Sequence, residues 1–335
     1  VKSTILLGDV RKRLLEIPDE TIQTVITSPP YFGLRDYGVD GQIGLEKSPE
    51  DFVDALVELF REVRRVLKSD GTVWLNLGDS YWGGKGQSAN GGAEHQAERA
   101  KRGASLNQAH QTLGGKNQTR PTDGKHHTIK PKDLIGIPWR VAFALQDDGW
   151  YLRSDIIWSK PNPMPEAMKD RPTKAHEYLF LLSKSPKYYY DHNAIREPLS
   201  EATKKRDLAP RGRSQNGGGS EKSMAGYSYT PELGNMTSNP LGRNRRSVWS
   251  INTKPFKGAH FAVMPEALVE PCVLAGSAQG DTVLDPFMGS GTVAVVANRF
   301  GRNFVGTELN PAYAEIAKTR IVDAAPLLNE VNIVD

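Results

Sequence analysis

The position of one glycine-rich loop constrains this chain more than any other feature. Asp285-Pro286-Phe287-Met288-Gly289-Ser290-Gly291-Thr292 lies between the apolar run Thr282-Val283-Leu284 and a helix-like stretch from Thr292 to Phe300 capped by Gly301. With Ala294 it satisfies G-x-G-x-x-A, and Glu308 follows at the end of the next strand-like run, Phe304-Val305-Gly306. Glycines in such a loop let the backbone approach a ligand, and a carboxylate one strand later accepts from ribose hydroxyls. A dinucleotide site normally opens its domain, with the remaining sheet downstream. Here only 27 residues follow Glu308, so the rest of the sheet must come from upstream, in permuted order. That disfavours a dehydrogenase and favours a nucleoside-cofactor half placed after its catalytic half.

The upstream residues supply such a sheet. Ile5-Leu6-Leu7 is a short apolar run followed by a helix-like stretch from Val10 to Leu15 and a Pro18-Asp19 turn. Gln23 to Thr27 is β-branched and apolar, bounded by Pro29-Pro30, and reads as a buried strand ending at a rigid turn. Ser48 and Pro49 stand as N-cap and first residue of a helix to Leu67, with Phe52, Leu56, Leu59, Phe60 and Val63 at helical spacing. Asp70-Gly71 is expected to close that helix before a strand over Thr72 to Leu77. Further strands are expected over Tyr151 to Trp158, Tyr178 to Ser183 and Asp281 to Asp285. Further helices are expected over Pro138 to Leu145 and Pro265 to Ala275, and a last one opens at Asn310-Pro311. Strands alternating with helices predict an α/β fold around a mostly parallel sheet.

The net charge of +4 is unevenly spread. Residues 82–132 hold nine Lys and Arg against three acids, and residues 202–247 hold the same balance, so two Gly-rich segments carry +6 each and the remainder −8. An acidic body with two basic inserts fits a polyanion partner as well as it fits solvated loops. Both inserts are so low in apolar residues that their composition is that of segments ordered only by a ligand. No stretch approaches the ~20 apolar residues of a membrane helix, and the apolar start is too short for a signal peptide. The single cysteine, Cys272, allows no internal disulfide. These features predict a soluble protein of a reducing compartment, the cytoplasm.

A second loop, Thr27-Ser28-Pro29-Pro30-Tyr31-Phe32, follows a buried strand, where open α/β sheets bind ligands. Two prolines stiffen the backbone, Pro29 lacks an N–H, Ser28 offers a short polar acceptor, and the aromatics offer ring faces. Such a set can hold a planar base by its exocyclic amine, with acceptors for the NH2 and a ring to stack beneath it.

Together these motifs resemble the amino-methylating DNA methyltransferases, which act on cytosine N4 or adenine N6. Thr27 to Tyr31 is similar to their catalytic motif and Asp285 to Thr292 to their S-adenosyl-L-methionine motif, and the catalytic motif coming first resembles the β arrangement. Glu62 to Trp74, Trp158 to Asn162, His176-Glu177 and Phe256 to Phe261 with Pro265 extend the likeness to nearly all but the basic inserts. The resemblance implies a Rossmann-like methyltransferase fold, mostly parallel and permuted. It divides the chain into a catalytic half (1–81, continued at 133–200), a basic insert (82–132), a target-recognition insert (201–247) and a cofactor half (248–335). It implies that Asp9, Phe261, Asp285, Phe287, Gly289, Gly291, Thr292 and Glu308 bind S-adenosyl-L-methionine. Ser28, Pro29, Pro30 and Tyr31 would hold a base flipped out of double-stranded DNA. Arg211, Arg213, Arg243, Arg245, Arg246, Lys125 and Lys130 would contact that DNA. Relatives with Ser at the first motif position usually act on cytosine N4 and those with Asp or Asn on adenine N6, so Ser28 implies cytosine first. A restriction-modification role follows, with a cognate endonuclease as possible partner, as a monomer or homodimer in a bacterial, archaeal or phage-encoded system.

Two rival features carry less. Pro271-Cys272 matches the nucleophile dipeptide of C5-cytosine methyltransferases, but Cys272 falls on the helical stripe Leu268, Val269, Cys272, Val273, where a buried thiol is inert. His95, His110, His126 and His127 lack partners at metal-ligand spacing and are expected to be solvated or phosphate-adjacent, with no metal bound.

Overall fold

The computed structural model describes residues 1–34, 39, 41–83, 121–123, 125–208, 239–253, 264–324 and 330–335. They form two units, residues 1–191 with 247–335, and residues 192–246. In the larger unit the strands are β1 (Lys2–Leu7), β2 (Ile22–Thr27), β3 (Leu67–Leu77), β4 (Tyr151–Ser159), β5 (His176–Ser183), β6 (Val248–Ser250), β7 (Thr282–Asp285), β8 (Asn303–Glu308) and β9 (Glu330–Val334). They make one sheet in the order β6-β4-β5-β3-β2-β7-β8-β1-β9. β5 is antiparallel to β3 and β4, and the other neighbours are parallel. The helices of this unit are α1 (Val10–Arg13), α2 (Pro49–Val66), α3 (Ile137–Asp147), α5 (Glu266–Gly276), α6 (Thr292–Arg299) and α7 (Pro311–Ala324), while α4 (Glu201–Leu208) belongs to the smaller one.

Local chemistry accounts for most of these elements. Ser48 Oγ accepts the Asp51 N–H at 3.1 Å and caps α2, whose Phe52, Leu56, Leu59, Phe60 and Val63 are buried. They pack in one core with Leu75, Val141, Leu145, Trp150 and Phe180. Every residue of β2 is buried, as expected of a parallel strand covered on both faces. Asn310 Oδ1 accepts the Ala312 N–H and opens α7. Cys272 is fully buried and donates its thiol to the Leu268 carbonyl, which makes it a core residue.

Three features depart from the sequence-based expectation. Asp70-Gly71 does not close α2. The helix ends at Val66, Leu67 is already extended and pairs with Ile22, and the extra residues bulge before Thr72 pairs with Thr24. The short β6 and the C-terminal edge strand β9 were not expected, because three residues carry no period and β9 is recognisable only beside β1. The second basic segment begins with a helix, α4, despite its low apolar content. Within the smaller unit Glu197 and Arg243 also pair as an antiparallel bridge.

Candidate active site

β1, β2, β7 and β8 run parallel in the middle of the sheet, and their carboxyl ends open on one cleft. Gly8 and Asp9 reach it from β1, Ser28 and Pro30 from β2, Asp285, Phe287 and Gly289 from β7, and Glu308 from β8. Thr292 of α6 also lines it, while Ile43, Met264, Asn310 and Tyr313 line the cleft without having been singled out from the sequence. The two key loops meet because β2 and β7 are neighbours, with Val25 opposite Leu284. Thr27 Oγ1 donates to Asp285 Oδ1 at 2.7 Å across a sequence separation of 258 residues. The Phe287 N–H donates to the same oxygen at 3.0 Å and folds the glycine loop back over the strand end.

The cleft is acidic, and its acids are held in place. Asp285 is buried, and burial pushes its carboxyl up to about 7 against the opposing bonds from Thr27 and Phe287. Burial likewise raises Glu308 to about 7, although the backbone N–H groups of Asn310, Gly289 and Leu309 donate to it. Asp9 caps α1 through the Arg11 N–H and pairs with the Arg11 guanidinium at 2.6 Å. Burial pushes its carboxyl up, but Arg11 outweighs burial and holds it below the usual range. Gly289 adopts a φ of 48° at the cleft wall. Gly291 stands back from the wall, with a φ of 76° at the N-cap of α6, and a Cβ there would meet Ala317 at 3.0 Å. Arg320 of α7, also unsuspected, donates to the Ser290 carbonyl and hydroxyl and braces the loop from behind.

Beside the cleft, Pro29 is buried and Tyr31 is half-buried. The Tyr31 ring lies on Gly78, where any Cβ would collide with it. Its hydroxyl donates to Glu177 Oε2 at 2.6 Å, with Asn76 Oδ1 at 3.3 Å and Ser28 Oγ at 3.4 Å. Lys160 pairs with the other Glu177 oxygen and lies 4.3 Å from the centre of the Trp158 ring. Asp79, two residues beyond β3, accepts from the Gly136 and Ile137 N–H groups at 3.1 Å and seats the start of α3. No role was assigned to Asn76, Asp79, Lys160 or Glu177 from the sequence, although the segments Trp158 to Asn162 and His176-Glu177 had signalled two of them.

The remaining candidates fare unevenly. Phe261, Arg211 and Arg213 lie outside the described residues. Lys125 and Lys130 are exposed. Arg243 pairs with Glu197 at 3.0 Å, while Arg245 is half-buried and Arg246 exposed. The expectation of solvated histidines is corrected at His126, whose side chain is 5% exposed and lies 3.0 Å from Glu50. Glu50, His126 and His127 bring three potential metal-ligand atoms within 4.8 Å. His126 Nδ1, however, accepts the N–H groups of Ile129 and Thr128. The neutral ring therefore carries its proton on Nε2, facing Glu50, and has no lone pair left for a cation.

A DNA methylase family model matches residues 22–319. The chain is 46% identical over 322 residues to the type II methyltransferase M.Cfr9I of Citrobacter freundii, covering 95% of this chain and 87% of that protein. It is equally identical over 318 residues to the type II methyltransferase M.SmaI of Serratia marcescens, covering 95% and 90%. Among solved structures, the fold is similar to the cytosine-N4-specific PvuII DNA methyltransferase, with a TM-score of 0.60, 18% identity and coverage of 99% and 95%. It is also similar to a DNA modification methylase of Thermus thermophilus complexed with S-adenosyl-L-methionine, with a TM-score of 0.57, 21% identity and coverage of 99% and 98%.

Proposed function

The chain belongs to the DNA methylase family that acts on N6 and N4 amines, and from that premise we propose that it methylates the exocyclic N4 of cytosine in a base flipped out of double-stranded DNA. S-adenosyl-L-methionine is the methyl donor. The observation that carries the reading is that Ser28 and the glycine loop face one cleft, tied together by Thr27 and Asp285. The donor set fits that cofactor: buried acids suit a cationic ligand, an acid at the end of β8 suits ribose hydroxyls, and Gly289 leaves its wall open. When bound, the cofactor supplies an electrophilic methyl group on a positively charged sulfur.

The chain's own groups do the rest by positioning. Glu308 would accept from the ribose, Asp9 would reach the adenine side, and Phe287 with Gly289 would wall the methionine half. An exocyclic amine is a poor nucleophile because its lone pair is delocalised into the ring. Ser28 Oγ and the Pro29 carbonyl accept its hydrogens, draw the nitrogen toward sp³ character and aim the lone pair into the cleft. Holding two reactants in line in this way is worth ~7–11 kcal/mol. Flipping costs a few kcal/mol, offset by stacking on Tyr31.

Support for cytosine over adenine comes from Ser at the first motif position and from the cytosine-N4 specificity of the PvuII enzyme. Mass spectrometry of nucleosides from DNA incubated with the protein and cofactor tests it. N4-methylcytosine is expected; N6-methyladenine keeps the enzyme class and overturns the base. The type II names of the relatives support a companion restriction endonuclease of the same specificity. DNA methylated by this chain should then resist an endonuclease sharing its target.

A further inference from the structure

The hydrogen-bond chain beside the cleft has a direction, and that direction bears on Ser28. Tyr31 has one hydroxyl proton, and among the described residues Glu177 Oε2 at 2.6 Å and Asn76 Oδ1 at 3.3 Å can accept it. The shorter, charge-assisted bond takes it. Asn76 Nδ2 donates to Glu177 Oε2 at 3.2 Å and to the Tyr178 carbonyl at 3.1 Å, which fixes the amide so that Oδ1, an acceptor, faces Tyr31 and gives its oxygen no proton. Glu177 is paired with Lys160, both side chains being less than a fifth exposed, and as a carboxylate it only accepts. Tyr31 Oη therefore presents lone pairs to Ser28, and the Ser28 hydroxyl proton turns toward it across 3.4 Å. Ser28 is left with lone pairs toward the cleft. Resting on the reading of Ser28 as the group that meets the target amine, we infer that Glu177 is a positioning residue which, through Tyr31, sets Ser28 as a hydrogen-bond acceptor. With the opposite polarity the Ser28 proton would face the amine hydrogens or tie up the lone pair that must attack.

The isosteric variant Glu177→Gln tests this. Lys160 can only donate and keeps the amide oxygen, so the amide NH2 faces Tyr31, whose hydroxyl must now accept; its own proton is released to Asn76 Oδ1 or to Ser28 Oγ, and the polarity of Ser28 is no longer enforced. Turnover on duplex DNA is expected to fall about tenfold or more, with dissociation constants for cofactor and DNA unchanged, while the melting temperature falls because Lys160 loses its carboxylate partner. Tyr31→Phe, which keeps the ring and removes the hydroxyl, is expected to lose as much, and Glu177→Gln should add nothing in that background. Wild-type turnover in Glu177→Gln overturns the inference, as do losses that multiply in the double variant. Full turnover in Tyr31→Phe overturns it even where Glu177→Gln fails to fold. A wild-type protein that methylates no DNA fails at the earlier step, overturning the functional reading and this inference with it.

Discussion

Asp285 and Glu308 stand at the strand ends with carboxyl groups that burial pushes up to about 7 from ordinary values of 3.8 and 4.5. Both bind protons more tightly folded than unfolded. They therefore stabilise the cofactor-free fold fully below about pH 4, and that contribution is lost as pH rises through about 7. At about 1.4 kcal/mol per pKa unit the Asp285 shift corresponds to ~4 kcal/mol. The melting temperature of the cofactor-free protein is expected to fall between about pH 4 and pH 7 and to level off above that. Asp285→Asn, which still accepts from Thr27, should flatten that slope, and a slope unchanged in this variant would assign the effect elsewhere. At Ser28 the expectation is kinetic. Ser28→Ala removes an acceptor for the amine, so transfer should drop by about tenfold or more while DNA affinity stays within twofold. Equal loss of both, measured by single-turnover kinetics and equilibrium binding, would remove Ser28 from the chemistry.

At the scale of elements, Ser48 offers a simple check, because its hydroxyl satisfies one of the orphan N–H groups of α2. Ser48→Ala is expected to cost about 1 kcal/mol in denaturant unfolding. That cap, the apolar stripe behind it, the buried β2 and the strand-loop-helix from Thr282 to Arg299 were all legible in the sequence, because each is specified by neighbours a few residues away. What escaped is specified at long range. The bulge at Asp70 exists because β3 must pair with both Ile22 and Thr24. The antiparallel run of β5 depends on its two flanking strands. The site divides in the same way. Ser28, Asp285 and Glu308 sit in motifs that announce themselves, whereas the service of Glu177 to Tyr31 spans 146 residues and emerges only when β5 lies beside β3.

For the whole molecule, the charge division is the property to measure. The overall +4 conceals two segments of +6 and an acidic remainder, so duplex DNA should be bound through counterion release. Affinity is expected to fall steeply with salt, the slope in a log–log plot counting phosphate contacts at ~0.9 each. A flat response would separate the basic segments from the phosphate backbone. Glu197 already holds the Arg243 guanidinium, so Arg243→Ala is expected to change that slope by less than one phosphate contact. Among the described residues no helix is long and apolar enough to cross a membrane.

The permuted strand order also has a consequence for synthesis. β1 pairs with β8 on one side and β9 on the other, and Lys2 waits 301 residues for its partner Asn303. At ribosomal rates of ~5–20 residues per second the strand spends tens of seconds with both edges open. Contacts so distant in sequence are costly to close early. The cleft wall bearing Gly8 and Asp9 is thus completed only once β8 has been made, and a nascent chain halted before residue 303 carries the catalytic loop without a finished cofactor site.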